Sequence, residues 1–261
     1  MLTVMTMTMT MHGMPNNQRR NFGWGWGVSV RGPDHIRRKL PNQDAFTIAN
    51  GSWGSLVVLC DGMGSCAYAH IGARRACQAI ALTTQIHCCA HLQSQQLQPE
   101  LLLQQCYKQW RRLITPYSVA ECRTTCLLAL LYKEQLLLCR LGDGLLAVDT
   151  TQDVLLPVGE EEKPFANITA ALGEHYKFAD WRCAVLPAKT VHAVLLASDG
   201  IADDIAASSV SAFVHDLTYA HRSLSPQQSR YMLRRQLKKW PVQGHSDDKT
   251  LACMYLTQGE L

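Results

Sequence analysis

The chain has 261 residues, 47% of them apolar, and a formal net charge of +4. That is enough length and apolar content for one large domain with a sizeable core. The charge is too small and too dispersed for a nucleic-acid surface, and no apolar run reaches the roughly 18 residues that span a membrane.

Residues 1–20 are Met/Thr-rich, with no basic segment ahead of an apolar core, and read as a disordered leader rather than a signal peptide. A single domain is expected over 21–261. Residues 22–32 alternate as a strand does. Residues 44–49 and 55–59 are strand candidates around a turn at Asn50-Gly51. An Ala-rich helix is expected over 67–92, and Pro99 opens a second, with proline in its first turn. Three apolar runs follow at 124–132, 135–141 and 145–149. The turns between them, Lys133-Glu134 and Gly142-Asp143-Gly144, make a meander the natural reading. Residues 157–180, with Glu160, Glu161 and Glu162, lack periodicity and read as a surface excursion. A strand at 192–198, helices near 208–221 and 226–239, and a closing strand TLACMYL complete the order. The result is an α+β chain with helices packed on antiparallel sheets. The basic stretch 230–240 reads as a solvated helix face. The 11 cysteines form no C-x-x-C pair, and Cys60, Cys139, Cys183 and Cys253 sit inside apolar runs. They look like small buried hydrophobes of a reducing compartment, which places the chain in the cytoplasm.

The chemistry lies in the aspartates. VVLCDGMGS, LLLCRLGDG and AVLLASDG end apolar runs at Asp61, Asp143 and Asp199. HSDDKT puts Asp247 and Asp248 before the last strand, and PNQDAF puts Asp44 before an early one. Any one Asp-Gly pair is an ordinary turn. Several carboxylates converging from strand ends repel unless cations sit between them, and oxygen-only ligands suit Mg²⁺ or Mn²⁺ rather than zinc. Two such ions would activate a water and clamp a phosphoryl group. Competing signals are poorer. GMGSCA mimics a dinucleotide loop, but Asp61 sits badly beside a pyrophosphate. His87 and His91 flank Cys88 and Cys89 without a further ligand nearby, so a buried helix face is the better reading. Ser198 lacks a nucleophile-elbow context.

Taken in order, PNQDAF, CDGMGS, GDG, ASDG and DDKT resemble the motifs of metal-dependent protein phosphatases of type 2C. RTTCLLALL and EEKPFANITAAL resemble further segments, the latter from the bacterial serine/threonine branch, and the match runs from Gly23 to Leu256. The resemblance implies an αββα sandwich of two antiparallel sheets flanked by helices. It implies hydrolysis of phosphoserine and phosphothreonine, with phosphotyrosine a further candidate, by a metal-bridging hydroxide. Asp61, Asp199 and Asp247 would be the catalytic carboxylates. The metal set would be Asp44, Asp61, Gly62 through its carbonyl, Asp143, Asp199 and Asp247. These would hold two Mg²⁺ or Mn²⁺ ions, with Asp143 and Asp199 at a third, and Asp203 in support. The partners would be phosphorylated proteins, products of a serine/threonine kinase, met by a monomer. The chain departs from the family's pattern at Gln43, where Glu is common, and at Met63, where some members have His. Asp248, where Asn is common, is expected to add charge to the rim. Arg38 or Lys39 stands in for a phosphate-binding arginine; His35 and His70 are candidate acids. The alternative is a catalytically weak phosphatase-like module that binds a phosphoprotein.

Overall fold

The computed structural model of the protein describes residues 23–90, 97–159 and 169–256. The expected leader, His91 and the glutamates 160–162 lie outside the described residues. In chain order, β1 (Gly23–Val30) leads through the short helix α1 (Pro33–Arg37) to a hairpin of β2 (Asp44–Gly51) and β3 (Gly54–Asp61). Two long helices follow, α2 (Ala69–Ala90) and α3 (Pro99–Leu113). Then come β4 (Cys126–Tyr132), β5 (Gln135–Leu141), β6 (Leu145–Thr150), β7 (Val154–Leu155), β8 (Arg182–Pro187) and β9 (Val191–Ala197). The one-turn helix α4 (Asp199–Ala202), helices α5 (Val210–His221) and α6 (Pro226–Lys238), and β10 (Lys249–Leu256) complete the order. Among the described residues these strands form two five-stranded sheets, ordered β1-β10-β9-β6-β7 and β2-β3-β4-β5-β8. All strand pairs are antiparallel.

Side chains along a strand alternate between faces, and that parity sorts the core into three layers. Val57, Leu59, Leu127, Leu138, Val194, Leu196, Ala252 and Met254 meet between the sheets. Leu56, Val58 and Cys60, on the other face of β3, pack under α2 and α3 against Ile80, Leu103 and Trp110. Leu195, Leu251 and Cys253 pack under α5 and α6 against Val214, Leu233 and Leu237. The order is helices, sheet, sheet, helices, as expected. Because both sheet faces are covered, central strands such as β4 are buried at every position and show no polar alternation. Helix α6 starts where Ser225-Pro226 put it, with Ser225 and Gln228 forming a reciprocal cap.

Three local expectations are corrected. The β2–β3 register pairs Gly51 with Gly54, so the turn is Ser52-Trp53; Trp53 is buried against the helix-side core, which outweighs the Asn-Gly signal. The three apolar runs are not a meander, because β6 leaves β5 and pairs with β9 in the other sheet. The crossing is Gly142-Asp143-Gly144, with left-handed φ of 85° and 112° at the two glycines. Finally, α1, β7 and β8 were not legible. Strand β8 is an edge strand whose Val185 is 48% exposed, so its sequence carries no clean pattern.

Gly142→Ala should cost more than the strain of positive φ alone. An added Cβ would lie 2.4 Å from Ala170 O and 2.7 Å from Thr125 Cγ2, whereas one at Gly244, φ 81°, meets nothing. A urea melt should therefore place Gly142→Ala well below Gly244→Ala, whose loss should be about 1–2 kcal/mol. Equal midpoints for the two variants would overturn this account of the crossing.

Candidate active site

The period-2 set that builds the intersheet core runs on into the site. On β3, Val57 and Leu59 are followed on the same face by Asp61. Its register partner on β2 is Asp44, so two carboxylates face one another across a strand pair. The Asp61 backbone is held from several sides. Its carbonyl accepts from Thr125 N (2.8 Å) and Thr124 Oγ1 (2.7 Å), and its N–H donates to Thr125 Oγ1 (3.3 Å). Asp44 is buried, and Thr250 Oγ1 of the other sheet donates to its Oδ2 at 2.6 Å. Thr250 also fixes the end of β9, accepting from Ser198 N at 3.0 Å and donating its N–H to Ser198 Oγ at 3.0 Å. Asp199 follows directly, as the first residue of α4. Its Oδ1 is buried without a hydrogen-bond partner. Asp247 Oδ1 accepts from Asp248 N at 2.7 Å.

Electrostatics ties these groups together. Burial first, then the charges of Asp44, Asp199 and Asp247, push the Asp61 carboxyl well above its usual range. Burial, with the charges of Asp248 and Asp199, lifts Asp44 to about 7 against the opposing hydrogen bond from Thr250. Asp247 is exposed along its outer edge, yet partial burial of the carboxylate and the charges of Asp199 and Asp248 raise it too. Three carboxylates that resist ionisation, Asp44, Asp61 and Asp247, and a fourth, Asp199, with an orphaned buried oxygen form an oxygen-only donor set. That set fits hard divalent cations.

The other sequence candidates fall nearby or on the margin. Gly62 donates its N–H to Gln43 O at 3.2 Å, and an added Cβ would lie 2.5 Å from Ala69 O, so α2 packs directly on it. Asp143 sits on the sheet crossing and accepts a hydrogen bond from Thr169 Oγ1. It precedes Leu145, which pairs with Ala197 two residues before Asp199. Asp203 caps α4 and is exposed. Arg38 and Lys39 end α1 and are exposed. Arg38 Nη1 donates to Asp34 Oδ2 at 3.3 Å, and Lys39 holds a left-handed φ of 58°. His70, on α2, is lowered by partial burial and by Arg74. An open cleft of about 290 Å³ runs beside Asp199 and Asp247, lined also by Asp203, Asp204, His245 and Lys249.

Asp248 is corrected. It does not decorate the rim but is buried at 2% exposure. Oδ1 accepts from Gly32 N at 2.7 Å and Oδ2 from Gln43 N at 2.6 Å. His35 Nδ1 lies 2.9 Å away, close but not aligned as a hydrogen bond. Parity carried the signal: Asp248 continues the inward set of Thr250, Ala252 and Met254. Thr124, Thr125, Ser198 and Thr250 were missed as supports of the carboxylates. The only hint was polar residues at the starts and ends of otherwise apolar strands.

The sequence profile of the family described as protein phosphatase 2C matches residues 31–240. A search of curated proteins found no match. Among solved structures, the chain is similar to PppA, a key regulatory component of T6SS in Pseudomonas aeruginosa. The TM-score is 0.62 at 18% identity, covering 91% of this chain and 99% of that one. It is also similar to the catalytic domain of the serine threonine protein phosphatase PstP in complex with two manganese ions, with a TM-score of 0.59 at 16% identity over 91% of this chain and 100% of that one. A bacterial serine phosphatase gives 0.59 at 16% identity over 91% and 99%. At these identities the likeness is one of fold.

Two outcomes are expected. Asp248 accepts a backbone N–H with each oxygen, whereas an asparagine offers one oxygen and turns an amide N–H against the other donor. Asp248→Asn should therefore lower stability by about 1–3 kcal/mol in a urea melt of chelated protein; unchanged stability would sink the clamp. The second concerns pH. Asp44 rises from 3.8 to about 7 on folding. A raised carboxyl favours the folded state while protonated, so the stabilisation is complete below 3.8 and lost as pH climbs through about 7. Chelated protein should melt at a higher temperature near pH 5 than near pH 7.5, and Mn²⁺ should restore more at the higher pH. A melting temperature that rises with pH in the chelated protein would contradict this.

Proposed function

The chain belongs to the protein phosphatase 2C family, and from that premise we propose that it is a metal-dependent phosphatase of phosphoserine and phosphothreonine in proteins. The observation that carries the reading is the convergence of Asp44, Asp61, Asp199 and Asp247, with the buried Asp199 Oδ1 left without a partner. Mg²⁺ or Mn²⁺ bound there would supply Lewis acidity toward a water and a phosphoryl oxygen. Asp61, Asp199 and Asp247 would hold the ions directly. Asp44 and the Gly62 carbonyl would complete the set, and Asp143 would stand ready for a third ion. The protein's own part is orientation. Thr124 and Thr125 fix the Asp61 backbone, Thr250 fixes Asp44, and Ser198 with Thr250 fixes the strand end before Asp199. Arg38 or Lys39, exposed on the turn before β2, would meet the phosphate dianion.

The open cleft beside Asp199 and Asp247 favours an extended segment of a folded partner over an engulfed metabolite. Phosphorylated proteins made by a serine/threonine kinase are therefore the proposed substrates, met by a monomer in the cytoplasm. Among the described residues no helix is long and apolar enough to cross a membrane. A binding module without catalysis would have no use for an intact set of convergent, mutually repelling carboxylates.

The test is Mn²⁺-dependent turnover of p-nitrophenyl phosphate and of phosphoserine, phosphothreonine and phosphotyrosine peptides. Asp61→Asn and Asp199→Asn should each lose more than the about 10–100-fold that removing an outer partner costs. Folded protein with no metal-dependent turnover would leave only the binding module. Metabolite esters turned over faster than every phosphopeptide would redirect the substrate class.

A further inference from the structure

Cys139 and Cys183 are register partners on β5 and β8, and their Sγ atoms lie 3.1 Å apart. Residues directly opposed in an antiparallel pair have Cα atoms about 4.5–5.5 Å apart, inside the about 4.4–6.8 Å that disulfides span. The backbone is thus already placed for a bond, and the sulfurs need close by only about 1 Å to the disulfide length. Their environments differ in a useful way. Cys139 is fully buried in the helix-side core, while Cys183 is exposed on the edge strand. The Cys183 thiol donates to the Cys139 sulfur; once Cys183 ionises, the Cys139 thiol can donate in return, which holds Cys183 below the usual thiol range against the effect of burial. Elsewhere, Cys60, Cys77 and Cys126 also cluster, but all three are buried and pushed upward by burial. Cys89 is exposed, with its sequence neighbour Cys88 buried on the helix. The β5–β8 pair alone, among these, joins an accessible sulfur to a second sulfur in reach.

We propose that Cys139 and Cys183 are a reversible disulfide site, with a peroxide as oxidant. The Cys183 thiolate attacks a peroxide oxygen, giving a sulfenic acid and hydroxide. The Cys139 sulfur then attacks the Cys183 sulfur, the S–S bond forms, and the sulfenic oxygen leaves with the Cys139 proton as water. Two thiols surrender two electrons and two protons, and hydrogen peroxide becomes two waters. A dithiol reverses the step by exchange. The bond would close residues 139–183 into one covalent loop. That loop carries Asp143 and Thr169, and also Arg182, whose Nη1 donates to Gly159 O at 2.6 Å. Oxidation would therefore fasten the edge strand and the segment leading to the Asp143 contact, without touching Asp44, Asp61, Asp199 or Asp247.

The experiment treats the folded full chain with hydrogen peroxide and maps peptides by mass without reduction. The expected product is a Cys139–Cys183 cross-linked peptide pair lighter by two hydrogens, reversed by dithiothreitol, retained in Cys89→Ser and absent in Cys183→Ser. Amide exchange over β8 should slow by about tenfold or more in the oxidised form. Sulfinic acid at Cys183 with Cys139 still free would overturn the proposal. So would a cross-link that forms only in denaturant. Neither readout depends on phosphatase activity, so the result stands apart from the proposed function.

Discussion

Like-charge convergence is the constraint on which the rest of this molecule depends. Asp61 and Asp44 oppose one another on neighbouring strands, and Asp199 and Asp247 come from the other sheet to the same end. In water such a cluster would spread apart. Here the strands cannot move, because each continues into a buried apolar layer whose packing would be lost. Burial therefore makes the Asp44 and Asp61 carboxyls resist ionisation instead of separating. The apolar core and the acidic site are one device: the first supplies the rigidity that holds the second in an unfavourable arrangement.

Polar ties at the seam decide where the sheets stop being interchangeable. The Thr250 hydroxyl reaches from one sheet to the Asp44 carboxylate on the other. Asp248, one turn of parity earlier on the same face, accepts two backbone N–H groups from the segment between β1 and β2. That segment carries Arg38 and Lys39 and leads into Asp44 at the start of β2. A single buried carboxylate thus binds the cationic turn to the strand end that bears Asp247. Three backbone or hydroxyl donors spent on Asp44 and Asp248 leave Asp61, Asp199 and Asp247 as the carboxylates with capacity toward a cation.

Much of this was written in the sequence, and the parts that were not have physical reasons. The long helices, β9, β10 and the aspartate strand ends were legible because periodicity and ordered motifs point the same way. The layered α+β architecture followed from them. Strand β8 was invisible because an edge strand exposing Val185 need not alternate. The Gly142–Gly144 crossing looked like a hairpin, since a turn tetrad reports a change of direction but not which sheet receives the chain. Asp248 was misread for a different reason. Its neighbour Asp247 drew the attention due to a motif, whereas counting by twos back from Met254, Ala252 and Thr250 puts Asp248 inside.

The pairing order of one sheet has a consequence for how the protein is made. Strand β10 lies between β1 and β9, so the first and last strands described are neighbours, and the last fills a central slot. A nascent chain can build the β2–β3–β4–β5 hairpins early, from local contacts. It must hold β1 unpaired until Lys249–Leu256 has left the ribosome. Non-local closure of this kind is slow and leaves edges exposed meanwhile. Thr250 and Asp248 arrive with that same strand, together with Asp247. Asp44 and Asp61 on β2 and β3 therefore meet Asp247 only once β10 has been made, and a chain that stops short of β10 has no assembled site.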